Sequence, residues 1–214
     1  SFNLVWRGGA VGKIHWNLPG EYNVRNAAMA ALASALAQAV ASGSEPDLDK
    51  PFAAAGLPPF DKCLGVKRRQ EILVERDDLV VLSDFAHHPT AISGALRSLR
   101  ACWPEHRLVA CFEPRSNTAV TNVFQDEFTA SLAEADEVLL GEIHRAERIA
   151  PEERLDGEAM IRLLCEQGRI AKAFPTNDAL GESLLSRDFK VEGKTLLTFF
   201  SNGSFDGVIG RVAE

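Results

Sequence analysis

Three side chains with chemical potential stand together after a short apolar run: Asp84, His87 and His88 follow Leu79-Val80-Val81-Leu82-Ser83. Asp and His are common ligands of transition metals. The same carboxylate could instead accept hydrogen bonds from the hydroxyls of a bound ligand. Two adjacent histidines in an extended segment point to opposite sides, so one of the pair can be packing while the other works. A second group, Glu113, Arg115, Ser116 and Asn117, follows Leu108 to Phe112. Arginine suits a two-pronged grip on a carboxylate or phosphate. Glu142 and His144 follow Val138 to Leu140, and Ser201, Asn202 and Ser204 follow Leu196 to Phe200.

Each of these groups comes directly after a short run rich in apolar residues, which reads as a buried strand. The element after Asp84 is a helix, because Pro89 sits where a first helical residue would, and proline is favoured there. The rhythm continues along the chain. A hairpin is predicted from Glu71 to Glu75 and Leu79 to Ser83 around Arg76-Asp77-Asp78. Helices are predicted over 90–101, 122–134, 156–167 and 177–186, strands over 108–112, 138–140, 169–173 and 195–200, and a short helix from Phe205. Such alternation implies an α/β fold, a Rossmann-like, mostly parallel sheet with helices on both faces. Parallel strands would bring all four polar groups to one rim, where open α/β sheets bind ligands.

Residues 1–67 have a different character. Strands are predicted at Phe2 to Trp6 and Gly12 to Trp16, with Gly8-Gly9 as the turn. Glu21 to Ala41 holds nine alanines and no proline, a helix suited to a tight fit between other elements. Its first turn carries Asn23 and Asn26, three apart and so on one face; Asn23 also suits an N-cap. Pro51 to Phe60 reads as partly helical. The boundary falls near Arg68, where the strand–helix rhythm starts.

A net charge of -7 over 214 residues, with no block of Lys or Arg, excludes a broad nucleic-acid-binding face. No uninterrupted apolar run approaches the roughly 20 residues that cross a bilayer, and the first residues do not read as a secretion signal. Cys63, Cys102, Cys111 and Cys165 form no C-x-x-C pair and read as buried, reduced thiols of a cytoplasmic protein. Gly193-Lys194-Thr195 resembles the end of a phosphate-binding loop, but it precedes a strand where such a loop opens a helix, and no G-x-G-x-x-G is present.

Gly20-Glu21-Tyr22-Asn23-Val24-Arg25-Asn26-Ala27-Ala28, Arg68-Arg69 and Asp84-Phe85-Ala86-His87-His88-Pro89-Thr90 together resemble the Mur ligases of bacterial cell-wall synthesis. Glu113-Pro114-Arg115-Ser116-Asn117-Thr118 and Ser201-Asn202-Gly203 narrow the resemblance to the branch that recycles murein peptides. That branch joins UDP-N-acetylmuramate to the tripeptide L-alanyl-γ-D-glutamyl-meso-diaminopimelate. The muramate–alanine ligases share His-His-Pro-Thr but differ after Pro114, and Ala119-Val120 stand here where the peptide branch has Met-Lys.

The resemblance implies that residues 1–67 are the tail of a central ATP-binding domain and 68–214 a complete C-terminal domain. It implies ATP and Mg2+, with the phosphate-binding loop and most magnesium ligands in parts of the enzyme this sequence does not contain, so that the chain is inactive alone. No metal ligand is assigned within it. Asn23 and Asn26 would face adenine, Arg69 the nucleotide phosphates and Asp84 the ribose. His87, Arg115, Ser116, Asn117, Ser201 and Asn202 would hold the incoming amino acid or peptide. ATP would phosphorylate the muramyl carboxylate, and the peptide amine would attack the acyl phosphate. Two other readings stay open on the residues alone: a metal-dependent hydrolase built on Asp84, His87 and His88, and an interaction module without chemistry.

Overall fold

The computed structural model describes residues 1–16, 18, 20–53, 56–63, 65–186 and 193–214. The chain forms two compact units, Ser1–Gly65 and Val66–Glu214.

The first unit begins with an antiparallel pair, β1 (Phe2–Trp6) and β2 (Gly9–Ile14). The turn is Arg7-Gly8, both left-handed (φ 45° and 83°), the geometry that suits the right-handed twist of a hairpin. This moves β2 three residues earlier than the alternation predicted and corrects the turn from Gly8-Gly9. Helix α1 spans Glu21–Ala41. Its Ala27 and Ala31 pack with Leu4, Ile14 and Phe60. Within 51–63 one described helical turn is present, at Phe60–Lys62. By length and mean hydropathy alone α1 could cross a membrane, although polar residues interrupt its apolar run. Glu21, Asn23, Arg25 and Asn26 make its first turns polar.

The second unit carries β3 (Glu71–Glu75), β4 (Leu79–Asp84), α2 (Pro89–Cys102), β5 (Arg107–Phe112) and α3 (Gln125–Leu132). It continues with β6 (Glu137–Leu140), α4 (Gly157–Glu166), β7 (Ile170–Ala173), α5 (Asn177–Leu185), β8 (Thr195–Phe200) and α6 (Val208–Ala213). The sheet order is β3-β4-β8-β5-β6-β7. Only β3 is antiparallel to its neighbour; the other four pairings are parallel.

Strand period two divides the core. Val80, Leu82, Leu108, Ala110, Phe112 and Phe200 pack under the α2–α4 side with Ile92, Leu96, Phe128 and Met160. Val81, Val109, Cys111, Leu197 and Phe199 pack on the other side with Leu180, Leu184 and Val208 of α5 and α6. Runs buried on both faces are what a parallel sheet under two helix layers requires. Side chains cap two of the helices. Asp156 accepts from the Ala159 N–H (2.9 Å) at α4, and Thr176 accepts from the Ala179 N–H (3.1 Å) at α5.

All four cysteines are free, but only Cys111, on central β5, is buried; Cys63, Cys102 and Cys165 are exposed. Cys102 and Cys165 sit at the solvent-facing ends of α2 and α4, where helix position outweighs residue type. Burial pushes the Cys111 thiol well above its usual range, which keeps it protonated.

Candidate functional site

The last residues of β4, β8 and β5 lie level: Asp84 pairs with Phe200, and Phe200 with Phe112. The three polar segments that follow therefore start side by side. The Ser201 N–H donates to the Asp84 carbonyl (3.1 Å), and the Glu113 N–H donates to the Phe200 carbonyl (3.0 Å). Next along the rim, the Gly141 N–H donates to the Phe112 carbonyl (2.8 Å) and the His144 N–H to the Pro114 carbonyl (2.9 Å).

On the β4 side, Asp84 is 4% exposed. Its carboxylate accepts from the Ala86 N–H (2.7 Å) and the Gln70 N–H (3.2 Å). A carboxylate offers about four acceptor positions, so two backbone donors leave room for hydroxyls. Burial raises its pKa, against the pull of the two N–H groups and Arg69. Arg68 and Gln70 both have left-handed backbones (φ 61° and 48°), a strained conformation for such residues that concentrates at functional sites. This kink leaves Arg69 exposed and Gln70 buried. The guanidiniums of Arg68 and Arg69 each lie 5.2 Å from the Phe85 ring centre. Arg68 also donates to the Ser201 and Gly203 carbonyls, a tie between rim segments that the sequence reading assigned to neither arginine.

His87 Nδ1 donates to the Phe85 carbonyl (2.9 Å). His88 is the N-cap of α2, and its ring meets Phe124 edge-on (5.1 Å). Among the described residues no three His, Cys, Asp or Glu side chains gather as a metal-holding group. Asp84, His87 and His88 therefore do not form the three-residue ligand set that the hydrolase reading needs.

On the β5 side the organiser is Glu113, 1% exposed. It accepts from Asn177 Nδ2 (3.0 Å), Arg115 Nη1 (3.1 Å), the Phe205 N–H (3.3 Å) and the Ser201 hydroxyl. A buried carboxylate is tolerated when its lone pairs are satisfied in this way. Asn177 also donates to Asp206 (2.8 Å), whose carboxylate stands 3.9 Å from Arg115 Nη1. Phe205 and Asp206 are both left-handed (φ 49° and 50°), and this turn carries Asp206 back toward the guanidinium. Arg115 thus sits between two carboxylates with its side chain 29% exposed.

Ser201 is buried, with its hydroxyl also accepting from the Gly203 N–H (2.7 Å). Asn202 keeps Oδ1 buried with no hydrogen-bond partner among the described residues. Ser116 is partly turned inward: its hydroxyl accepts from the Ala119 N–H (3.1 Å). Asn117 is exposed. Sequence reasoning placed Glu113 on the rim without a role and passed over Asn177 and Asp206. Asn177 looked like an ordinary first helical residue, and nothing in its neighbours signals a bridge to β5.

In the first unit, Asn23 is buried and Asn26 exposed, so the two asparagines do not share one environment as their spacing suggested. The N-cap of α1 is Gly20 (φ 100°), not Asn23.

The Mur ligase, glutamate ligase domain model matches residues 68–198. The chain belongs to the Mur ligase family. Among curated relatives, a UDP-N-acetylmuramate–L-alanine ligase of Salinibacter ruber is 37% identical over 156 residues, 73% of this chain and 30% of that protein. Among solved structures, a murein peptide ligase from Psychrobacter arcticus is 26% identical, with a TM-score of 0.60 over 93% of this chain and 38% of that one. A UDP-N-acetylmuramate–alanine ligase from Thermotoga maritima shares the fold, with a TM-score of 0.65, 21% identity, and coverage of 92% and 38%. The chain spans well under half the length of the curated relatives it matches, from 29% of a Pelobacter propionicus UDP-N-acetylmuramate–L-alanine ligase to 42% of one from Desulfosudis oleivorans.

Proposed function

We propose that this chain is the acceptor-binding part of an ATP-dependent Mur ligase that joins UDP-N-acetylmuramate to the tripeptide L-alanyl-γ-D-glutamyl-meso-diaminopimelate in peptidoglycan recycling. The observation that carries this reading is Arg115, held by Glu113 and Asp206 on the rim that also bears Asp84. One guanidinium flanked by an exposed carboxylate complements an acceptor with a free amine and a carboxylate. The run from Glu113 to Thr118 supports the peptide acceptor over L-alanine.

In this reading Asp84 takes ribose hydroxyls and Arg69 lies near the phosphates, with Asn23 and Asn26 toward adenine. His87, Arg115, Ser116, Asn117, Ser201 and Asn202 form the acceptor side. Residues 1–67 act as the tail of the central nucleotide-binding domain, and 68–214 as the C-terminal domain. Their contribution is positioning: holding the amine at its target while water is kept away. The remaining domains of the ligase would supply the phosphate-binding loop and the Mg2+ ligands. The enzyme is cytoplasmic in this reading, with no nucleic-acid or membrane partner.

The second reading, an L-alanine acceptor, draws on the Salinibacter ruber relative. Amide chemical shifts of this chain decide between the two. A non-hydrolysable ATP analogue should move Asp84 and Phe85, and the tripeptide should move Arg115 to Asn117. L-alanine giving the same acceptor-side shifts at equal concentration would favour the second reading. No shift from either acceptor would remove both.

A further inference from the structure

A cleft of about 520 Å3 opens at the carboxyl ends of β6 and β7, beside the start of α4. Its size falls in the range of small-molecule sites, roughly 300–1,000 Å3, and the residues proposed above for nucleotide and acceptor do not line it. Leu140, Ile143 and Phe174 supply apolar lining, and Arg154, Glu142 and Glu158 supply charge. A Cβ on Gly157 would stand 2.9 Å from Leu140 Cδ2, so the glycine lets α4 start close against this lining. An Nη–H of Arg154 donates to the Ile149 carbonyl (2.9 Å), while its Nε is buried with no hydrogen-bond partner among the described residues.

The segments that line the cleft are hydrogen-bonded to those that carry Arg115. The His144 N–H donates to the Pro114 carbonyl (2.9 Å). Asn177 accepts from the Glu142 N–H (3.1 Å) and donates to Glu113 (3.0 Å), so one side chain braces a cleft wall and the arginine site together. Neighbouring strands lie about 4.8 Å apart. From the end of β5 to the gap between β6 and β7 is therefore on the order of 5–10 Å. An extended chain covers about 3.3–3.6 Å per residue, so two or three residues bridge that span and a single amino acid does not.

We propose that this cleft holds the far end of the acceptor peptide, a residue whose side chain carries both an ammonium and a carboxylate. The inference rests on the peptide-ligase reading above. Arg154 pairs with the carboxylate, Glu142 and Glu158 with the ammonium, and Leu140, Ile143 and Phe174 line the intervening methylenes. A site with one guanidinium and an excess of carboxylates favours such a zwitterion over a plain acid or a hydrocarbon side chain.

The test compares two probes on this chain by amide shifts: the dipeptide L-alanyl-γ-D-glutamate, and the tripeptide extended by meso-diaminopimelate. The tripeptide should bind at least about fivefold more tightly and should alone shift Gly141, Glu142 and Gly157. Glu158→Lys, on the exposed first turn of α4, should erase that advantage while leaving dipeptide affinity within about twofold. Arg154→Gln should do the same, and Arg115→Ala should weaken both probes. Equal binding of the two peptides, or a tripeptide advantage that survives Glu158→Lys, overturns the cleft assignment and leaves the ligase reading standing. Failure of both peptides to bind in the millimolar range overturns the ligase reading, and this inference with it.

Discussion

Gly203 lies directly against the Arg115 side chain: a Cβ on Gly203 would stand 2.6 Å from Arg115 Nε and 2.9 Å from Cζ. The end of β8 thus sets where the guanidinium can lie. Gly203→Ala should push Arg115 out of its place between Glu113 and Asp206. We expect tripeptide affinity to fall about tenfold, the scale of one charged hydrogen bond, and the melting temperature to fall with it, because buried Glu113 loses its cationic partner. Calorimetric titration beside a thermal melt checks this, and an unchanged affinity refutes it.

Arg115→Lys keeps the charge but loses the fork. Peptide binding should weaken roughly tenfold, Arg115→Ala should be worse, and nucleotide binding should not move in either. If Arg115→Ala leaves peptide affinity within about twofold, the arginine serves only its ion pair with Glu113.

Glu113→Gln preserves shape but turns an amide NH2 toward groups that are themselves donors. Breaking a buried charged network of this kind costs about 3 kcal/mol. For a domain of about 150 residues that is roughly 6–12 °C in melting temperature. Differential scanning calorimetry reads it directly. A loss under about 2 °C would show that Glu113 is not the organiser described above.

Burial raises the pKa of Asp84, so the folded chain holds that proton more tightly than the unfolded chain. The stability Asp84 contributes therefore falls as pH rises from its ordinary value near 3.8 through the raised one. Asparagine carries no such loss. The melting temperature of Asp84→Asn minus that of the parent should shift in favour of the variant as pH rises above the ordinary carboxylate value of 3.8. A flat or opposite trend would falsify the assignment.

With ATP, Mg2+, UDP-N-acetylmuramate and tripeptide, this chain alone should release no phosphate above a buffer blank. The prediction follows from its reach along the Mur ligases named above, well under half of their length. Clear turnover would move the chemistry onto the rim described here.

Unbroken apolar runs and the Pro89 start made the order of strands and helices in the second unit readable, because parallel strands under two helix layers leave a nearly pure apolar signal. Boundaries slipped where backbone handedness decided them, as at Arg7-Gly8. The rim was legible as a set of polar segments after strands. What could not be read was who holds whom: Asn177 reaches Glu113 across 64 positions of sequence, and Asp206 arrives through a left-handed turn at two residues that are not glycine. Side-chain reach of this kind leaves no periodic trace. Cysteine burial misled for a related reason, since Cys102 and Cys165 take their exposure from helix position.

The last strand in sequence is a central strand in space, since β8 lies between β4 and β5. During synthesis the nascent chain must wait for Phe200 to leave the ribosome before the sheet can close. Until then β4 and β5 each present an unpaired edge. Loss of β8, by a premature stop or a protease, would therefore split the sheet at its middle and yield a sticky product.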